Sequence, residues 1–141
     1  RDSVRMGDPE CQTILPRLKT DFLKVIDTCL ENNLDSINLE WNEEKSICIV
    51  LCSKGYPDKY ENGIEIKRLN EIKLEKNNYI FHAGTKIKNS KVYSNGGRVL
   101  NFVMKSKNLK VSRNNLIKVI EDLNWENGYF RKDIGFKVIK K

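Results

Sequence analysis

The pattern of apolar and polar positions changes texture near residue 40. In residues 20–30 the apolar positions are Phe22, Leu23, Val25, Ile26, Cys29 and Leu30. That spacing predicts a helix, with Thr20 or Asp21 as N-cap and Asn32-Asn33 as the stop. Pro16 breaks or starts a helix, so residues 11–18 read as a separate helical turn. Residues 1–10 read as a piece of strand followed by a turn. Beyond residue 40 the chain turns strand-like. Residues 46–52 form a continuous apolar run and predict a buried strand, and Gly55-Tyr56-Pro57-Asp58 is turn chemistry. Residues 64–66 alternate as a short strand would. Residues 79–83, 91–94 and 98–104 predict further strands, separated by Gly84-Thr85, Asn89-Ser90 and Gly96-Gly97. Residues 112–123 predict a helix with Leu116, Val119, Ile120 and Leu123 on one face and Ser112 as cap. The tail, residues 128–139, is aromatic and β-branched and is expected to return to the sheet.

Strands in succession with a helix added give an α+β domain, mostly antiparallel, with one or two helices. The 141 residues suit one domain, or one domain with a tail borrowed from a neighbour. The change of texture divides the chain into residues 1–40 and 41–141.

Composition narrows the function classes. At 39% hydrophobic the chain can bury a core. No apolar run approaches the ~20 residues that cross a bilayer, and the polar N-terminus is not a secretory signal. The net charge of +7 invites a nucleic-acid reading. The lysines are spread along the chain, however, with no basic block or helical stripe, and the accompanying Asn and Ile suggest an AT-rich coding bias instead. The expectation is no nucleic-acid partner and no membrane. Cys11, Cys29, Cys48 and Cys52 do not form a C-x-x-C pair. Cys48 and Cys52 lie in the apolar run and read as small buried hydrophobes, reduced as in a cytoplasmic protein.

Three segments could carry chemistry. In Asn95-Gly96-Gly97-Arg98 the two glycines let backbone amides approach an anion, and the arginine could clamp a phosphate. The same residues could equally form a hairpin turn with Arg98 on the surface. In His82-Ala83-Gly84-Thr85-Lys86 a loop could present Lys86 to a phosphate, or Lys86 could simply be solvated. His82, the sole histidine, reads as a base or as a hydrogen-bonding support. Arg5, Asp8 and Glu10 surround a tight turn in which the carboxylates could hold Arg5 or cap the next helix, and Arg5 could face an anionic substrate.

Six segments, in order and spanning nearly the whole chain, resemble the C-terminal third of the phosphoribosylamine–glycine ligase family. They are Arg5-Met6-Gly7-Asp8-Pro9-Glu10, Leu15-Pro16-Arg17-Leu18-Lys19, Ser53-Lys54-Gly55-Tyr56-Pro57, Phe81-His82-Ala83-Gly84-Thr85-Lys86, Asn95-Gly96-Gly97-Arg98-Val99-Leu100 and Arg131-Lys132-Asp133-Ile134-Gly135. The resemblance implies an ATP-grasp enzyme of purine biosynthesis. Residues 1–40 would end the ATP-grasp domain, and residues 41–141 would form a C-terminal domain of the rudimentary hybrid-motif type. The implied reaction joins glycine to 5-phosphoribosylamine: glycine carboxylate takes the γ-phosphoryl group of ATP, and the amine displaces phosphate from the glycyl phosphate.

The resemblance also implies roles. Arg5 would steady a phosphate or the glycine carboxylate as a catalytic residue, with Asp8 and Glu10 organising its turn. Lys86 and Arg98 would hold the 5′-phosphate of phosphoribosylamine, with Gly96 and Gly97 shaping the pocket and His82 supporting it. ATP and Mg²⁺ (or Mn²⁺) would serve the parent enzyme. Arg1 and Ser3 stand where the family has its Glu and Asn metal ligands, and arginine cannot ligate a hard cation. Met6 replaces the usual phenylalanine. Either residues 1–3 are not part of that motif, or this copy cannot hold the metals. The family's nucleotide-gripping strands, glycine-rich loop and N-terminal domain have no counterpart in these residues, so the chain is expected to be a fragment with no ligase activity of its own, dependent on N-terminal and ATP-grasp domains. The alternative is a split or remnant module that binds a phosphoribosyl ligand or docks on those domains.

Overall fold

The computed structural model describes residues 5–139. Arg1 and Ser3, which carry the expected loss of metal ligands, lie outside the described residues. Helix α1 (Glu10–Ile14) runs into a 3-10 turn over Leu15–Arg17 that holds Pro16. Helix α2 (Phe22–Leu30) follows, and Asp21 caps it by accepting from Leu23 N at 2.8 Å and Lys24 N at 3.4 Å. Residue Asn32 takes φ 53° just past the helix, the left-handed conformation that stops it.

The strands are β1 (Lys45–Ser53), β2 (Asn78–His82), β3 (Thr85–Lys88), β4 (Lys91–Ser94), β5 (Arg98–Ser106) and β6 (Gly128–Tyr129). Four form an antiparallel sheet in the order β2-β5-β1-β6, and β3 with β4 forms a separate hairpin. Helices α3 (Leu109–Leu123) and α4 (Phe136–Ile139) complete the chain. The expected α+β fold with a mostly antiparallel sheet is what the structure has.

Register explains the core. Across β1 and β5, Ile47 faces Met104, Ile49 faces Phe102 and Leu51 faces Leu100. These side chains share one face and meet Leu116, Ile120 and Leu123 of α3. The opposite face carries Cys48, Val103, Asn101 and Lys105, and residues 8–17 lie against it. There the Lys105 ammonium, itself buried, donates to the Pro16 carbonyl at 2.7 Å and stands 5.6 Å from the Tyr79 ring centre. A buried lysine needs such partners, because its unpaired charge would be expensive to desolvate.

Several sequence expectations need correction. Helix α3 begins at Leu109, and Asn108 is its cap, accepting from Lys110 N at 3.0 Å and Val111 N at 3.3 Å. Ser112 is buried within the helix and shares a 2.6 Å contact with the Ser106 hydroxyl. Asn95-Gly96 does not turn a hairpin, since β4 and β5 lie in different sheets. The hairpin turns instead at Asn89-Ser90, whose φ values of 50° and 60° match the twist of paired strands. Thr85, read with Gly84 as a break, therefore opens strand β3, and Lys86, read as a loop residue, lies within it. Residues 64–66 make an isolated bridge beside β4 rather than a full strand. Of the tail, only Gly128–Tyr129 pairs in the sheet. Asp133 then bonds Arg131 through two nitrogens at 2.9 and 2.7 Å, and Gly135 at φ 77° turns the chain into α4.

Burial pushes the Cys48 thiol up to about 12; Thr13 lowers it by a side-chain hydrogen bond, and the carboxylates of Asp8 and Glu10 raise it further. The thiolate is the reactive form, so iodoacetamide at pH 8 is expected to label exposed Cys29 first and Cys48 last, as read by peptide mass spectrometry. A Cβ at Gly84 would lie 2.7 Å from the Arg98 carbonyl oxygen and 2.9 Å from Gly96 Cα. Backbone atoms cannot yield cheaply, so Gly84→Ala is expected to cost about 1–3 kcal/mol in urea unfolding.

Candidate functional site

Three loop segments meet at one end of the sheet. Strand β1 ends at Ser53, which is fully buried. Its amide donates to the Gly97 carbonyl at 2.8 Å, and its hydroxyl donates to the Gly96 carbonyl at 2.9 Å. One serine thus binds two successive carbonyls of the glycine pair. The exit of β2 adds a second tie. Gly84 N donates to the Arg98 carbonyl at 2.8 Å, and Asn95 N donates to the Gly84 carbonyl at 2.7 Å.

Close approach explains the glycines here. A Cβ on Gly97 would lie 2.1 Å from the Tyr56 ring, and one on Gly96 would lie 3.2 Å from Gly84 Cα. The glycines with positive φ are others: Gly55, Gly63 and Gly135. So Gly96 and Gly97 serve by lacking a side chain, which lets three backbone segments pack together.

Asp8 and Arg98 meet across 90 positions of sequence. Arg98 Nη1 donates to the Asp8 main-chain carbonyl, and Nη2 lies 3.4 Å from its carboxylate Oδ2. The other carboxylate oxygen, Oδ1, accepts from Gln12 Nε2 at 3.0 Å and from Asn101 Nδ2 at 3.4 Å. Asp8 is therefore the hub that fixes the first turn of the chain to the back of the sheet. Arg98 also reaches the neighbouring strand: burial raises the Cys52 thiol, and the guanidinium partly offsets that rise.

The remaining residues are placed as follows. His82 ends β2, is exposed, and its Nδ1 lies 2.9 Å from the Thr85 hydroxyl, so it braces the β2–β3 loop. Lys86 is exposed on β3 and pairs with Tyr93 of β4. The carboxylate of Glu10 folds over Gly7, where an added Cβ would lie 2.3 Å from it. Arg5 is exposed and its Nη1 lies 3.4 Å from the Met6 carbonyl. Among the described residues no group of three or more His, Cys, Asp or Glu is placed to hold a metal ion. A separate cleft of about 660 Å³, lined by Lys54, Lys67, Arg68, Trp125 and Asn127 among others, does not include Lys86 or Arg98.

Sequence reasoning missed Ser53, Gln12 and Asn101 as members of this cluster. Ser53 stood in a quoted motif without a role. Asn101 carried one signal, a polar residue in the apolar run of a predicted strand, and such a residue needs a partner.

Comparison with known proteins agrees with this architecture. Residues 46–137 match the family described as phosphoribosylglycinamide synthetase, C domain. A phosphoribosylamine–glycine ligase of Caldanaerobacter subterraneus is 43% identical over 94% of this chain and 31% of its own length. The bifunctional purine biosynthetic protein purD of Dictyostelium discoideum is 41% identical over 97% of this chain and 17% of its own. The crystal structure of phosphoribosylamine–glycine ligase from Thermotoga maritima superposes with a TM-score of 0.57 at 27% identity, covering 92% of this chain and 30% of that one. The chain spans about a third of the length of the bacterial relatives it matches. With the match covering most of the chain and the sheet, helix and loop cluster assembled as described, the chain belongs to the phosphoribosylglycinamide synthetase C-domain family.

Proposed function

We propose that this chain is the C-terminal part of a phosphoribosylamine–glycine ligase and supplies the wall that holds the phosphoribosyl substrate. The single observation that carries this reading is the convergence of Ser53, Gly84 and Gly96–Gly97 beneath Arg98. In this reading Arg98 and Lys86 hold the 5′-phosphate, since a guanidinium presents paired donors and an ammonium adds a point charge. Gly96 and Gly97, packed against Gly84 and the Tyr56 ring, shape the pocket by fixing where Arg98 leaves the loop, and His82 keeps the loop before Lys86 in place. Arg5 lies beside the reacting groups and offsets charge developing on the transferred phosphoryl or on the glycine carboxylate. The reaction is the ATP-dependent joining of glycine to 5-phosphoribosylamine through glycyl phosphate, in the cytoplasm. In this reading the full-length ligase uses ATP and Mg²⁺ (or Mn²⁺), as its resemblance to the family implies.

The test is an NMR titration of the chain with glycinamide ribonucleotide. The expected result is saturable shifts at Lys86, Gly96 and Gly97, with affinity reduced about tenfold or more by Arg98→Ala, the loss expected of charge-assisted hydrogen bonds. Shifts that ignore the substitution would defeat the assignment.

A second reading, compatible with the first, is favoured by α2. Its side chains Leu23 and Leu30 are 70% and 77% exposed, and Phe22, Ile26 and nearby Leu34 are exposed too. An amphipathic helix with its apolar face in water marks a docking surface. The occupant is the remaining two thirds of the ligase, the length by which its relatives exceed this chain. The chain alone is expected to release no ADP with glycine and ATP, and mixing it with that remainder restores turnover. Leu23→Asp with Leu30→Asp should abolish the restoration while leaving the chain's own unfolding midpoint nearly unchanged. Glycine-dependent ADP release by the isolated chain would refute its dependence on a partner.

A further inference from the structure

The Arg98–Asp8 pair sits where the proposed function needs Arg98 for a phosphate. Arg98 directs both terminal nitrogens to Asp8, one to the main-chain carbonyl and one to the carboxylate. Both partners are well exposed, at 41% and 38% of their side-chain surface. Such a pair is weak, because water screens it and ordering two side chains opposes it. A phosphate dianion offers a guanidinium more charge and a second acceptor oxygen. Asp8 does not depend on Arg98 alone, since Gln12 and Asn101 also hold Oδ1.

We infer that Asp8 is an internal competitor for the anion site: a phosphoryl ligand draws the Arg98 guanidinium away from Asp8, and the exchange couples ligand binding to the attachment of the turn that follows Arg5. The inference rests on the phosphate reading above and adds a direction to it. With Arg98 on Asp8 the site is neutralised from within. With phosphate bound, the turn keeps Gln12 and Asn101 but loses its cross-strand clamp. Linkage makes the effect reciprocal: whatever breaks the Arg98–Asp8 pair tightens phosphate, and phosphate weakens that pair by the same factor. The residues around Asp8 thereby become positioning residues for Arg5, acting through the turn and not on substrate.

The experiment uses the full chain with ribose 5-phosphate and, separately, inorganic phosphate as probes. Asp8→Asn keeps the shape and the acceptor oxygen for Gln12 and Asn101 while removing the charge. It is expected to bind ribose 5-phosphate up to about fivefold more tightly than the parent chain, the scale of an exposed ion pair. Arg98→Ala is expected to lose binding. In the unsubstituted chain, ligand is expected to speed hydrogen exchange of the Cys11 amide, which donates to the Gly7 carbonyl at 2.9 Å across this turn. That second readout needs no variant. If Asp8→Asn binds equally or more weakly while Arg98→Ala loses binding, the competition is overturned and the phosphate site stands. If Arg98→Ala binds as well as the parent, or neither the parent nor Asp8→Asn binds, both fall. Tightening for ribose 5-phosphate together with inorganic phosphate supports competition at the phosphoryl group itself. Tightening for neither overturns it.

Discussion

Everything at the candidate site depends on how Ser53 ends its strand. A strand terminus in a protein interior leaves backbone groups that must find partners. Ser53 solves this for another segment as well as for itself. Its amide and hydroxyl take up the carbonyls of Gly97 and Gly96, two groups that would otherwise be stranded where the chain leaves the hairpin for β5. The bond fixes where β5 begins, and hence where Arg98 stands. It thereby supports the close stacking of Gly84 on Gly96, which the backbone bonds from Gly84 to Arg98 and from Asn95 to Gly84 also hold.

The back of the sheet follows a different logic. Its front is closed by apolar side chains against α3, in the manner of an ordinary core. Its rear, which also buries Cys48 and Val103, is fastened by polar groups that answer one another individually: Asp8 with Arg98, Gln12 and Asn101, and Lys105 with the Pro16 carbonyl. Polar closure is specific in register but weak in net strength, since each bond replaces one to water. That combination holds the turn in one place through contacts that are individually easy to exchange.

How much of this could be read in the sequence differs by kind of signal. The two main strands, the Asp21-capped helix α2 and the body of α3 were legible because apolar periodicity and capping chemistry are local. The six ordered segments made the family legible. The boundaries of α3 were misread because both Asn108 and Ser112 are good caps, and only the tertiary burial of Ser112 decides between them. Asn95-Gly96 has a local turn preference, but β4 and β5 lie in different sheets and the Gly96 carbonyl is held by Ser53, 43 positions away. The Asp8–Arg98 pair spans 90 positions and left no local trace. Both residues were singled out separately, and nothing in the spacing could join them.

The unlike closure of the two faces has an outcome for solution conditions. Apolar burial is strengthened by strongly hydrated salts, which are excluded from protein surface, whereas exposed charge pairs fade as ionic strength shortens the Debye length. Added sulfate therefore acts on the two sides of one sheet with opposite sign, tightening α3 against its front while unfastening the first turn of the chain from its rear.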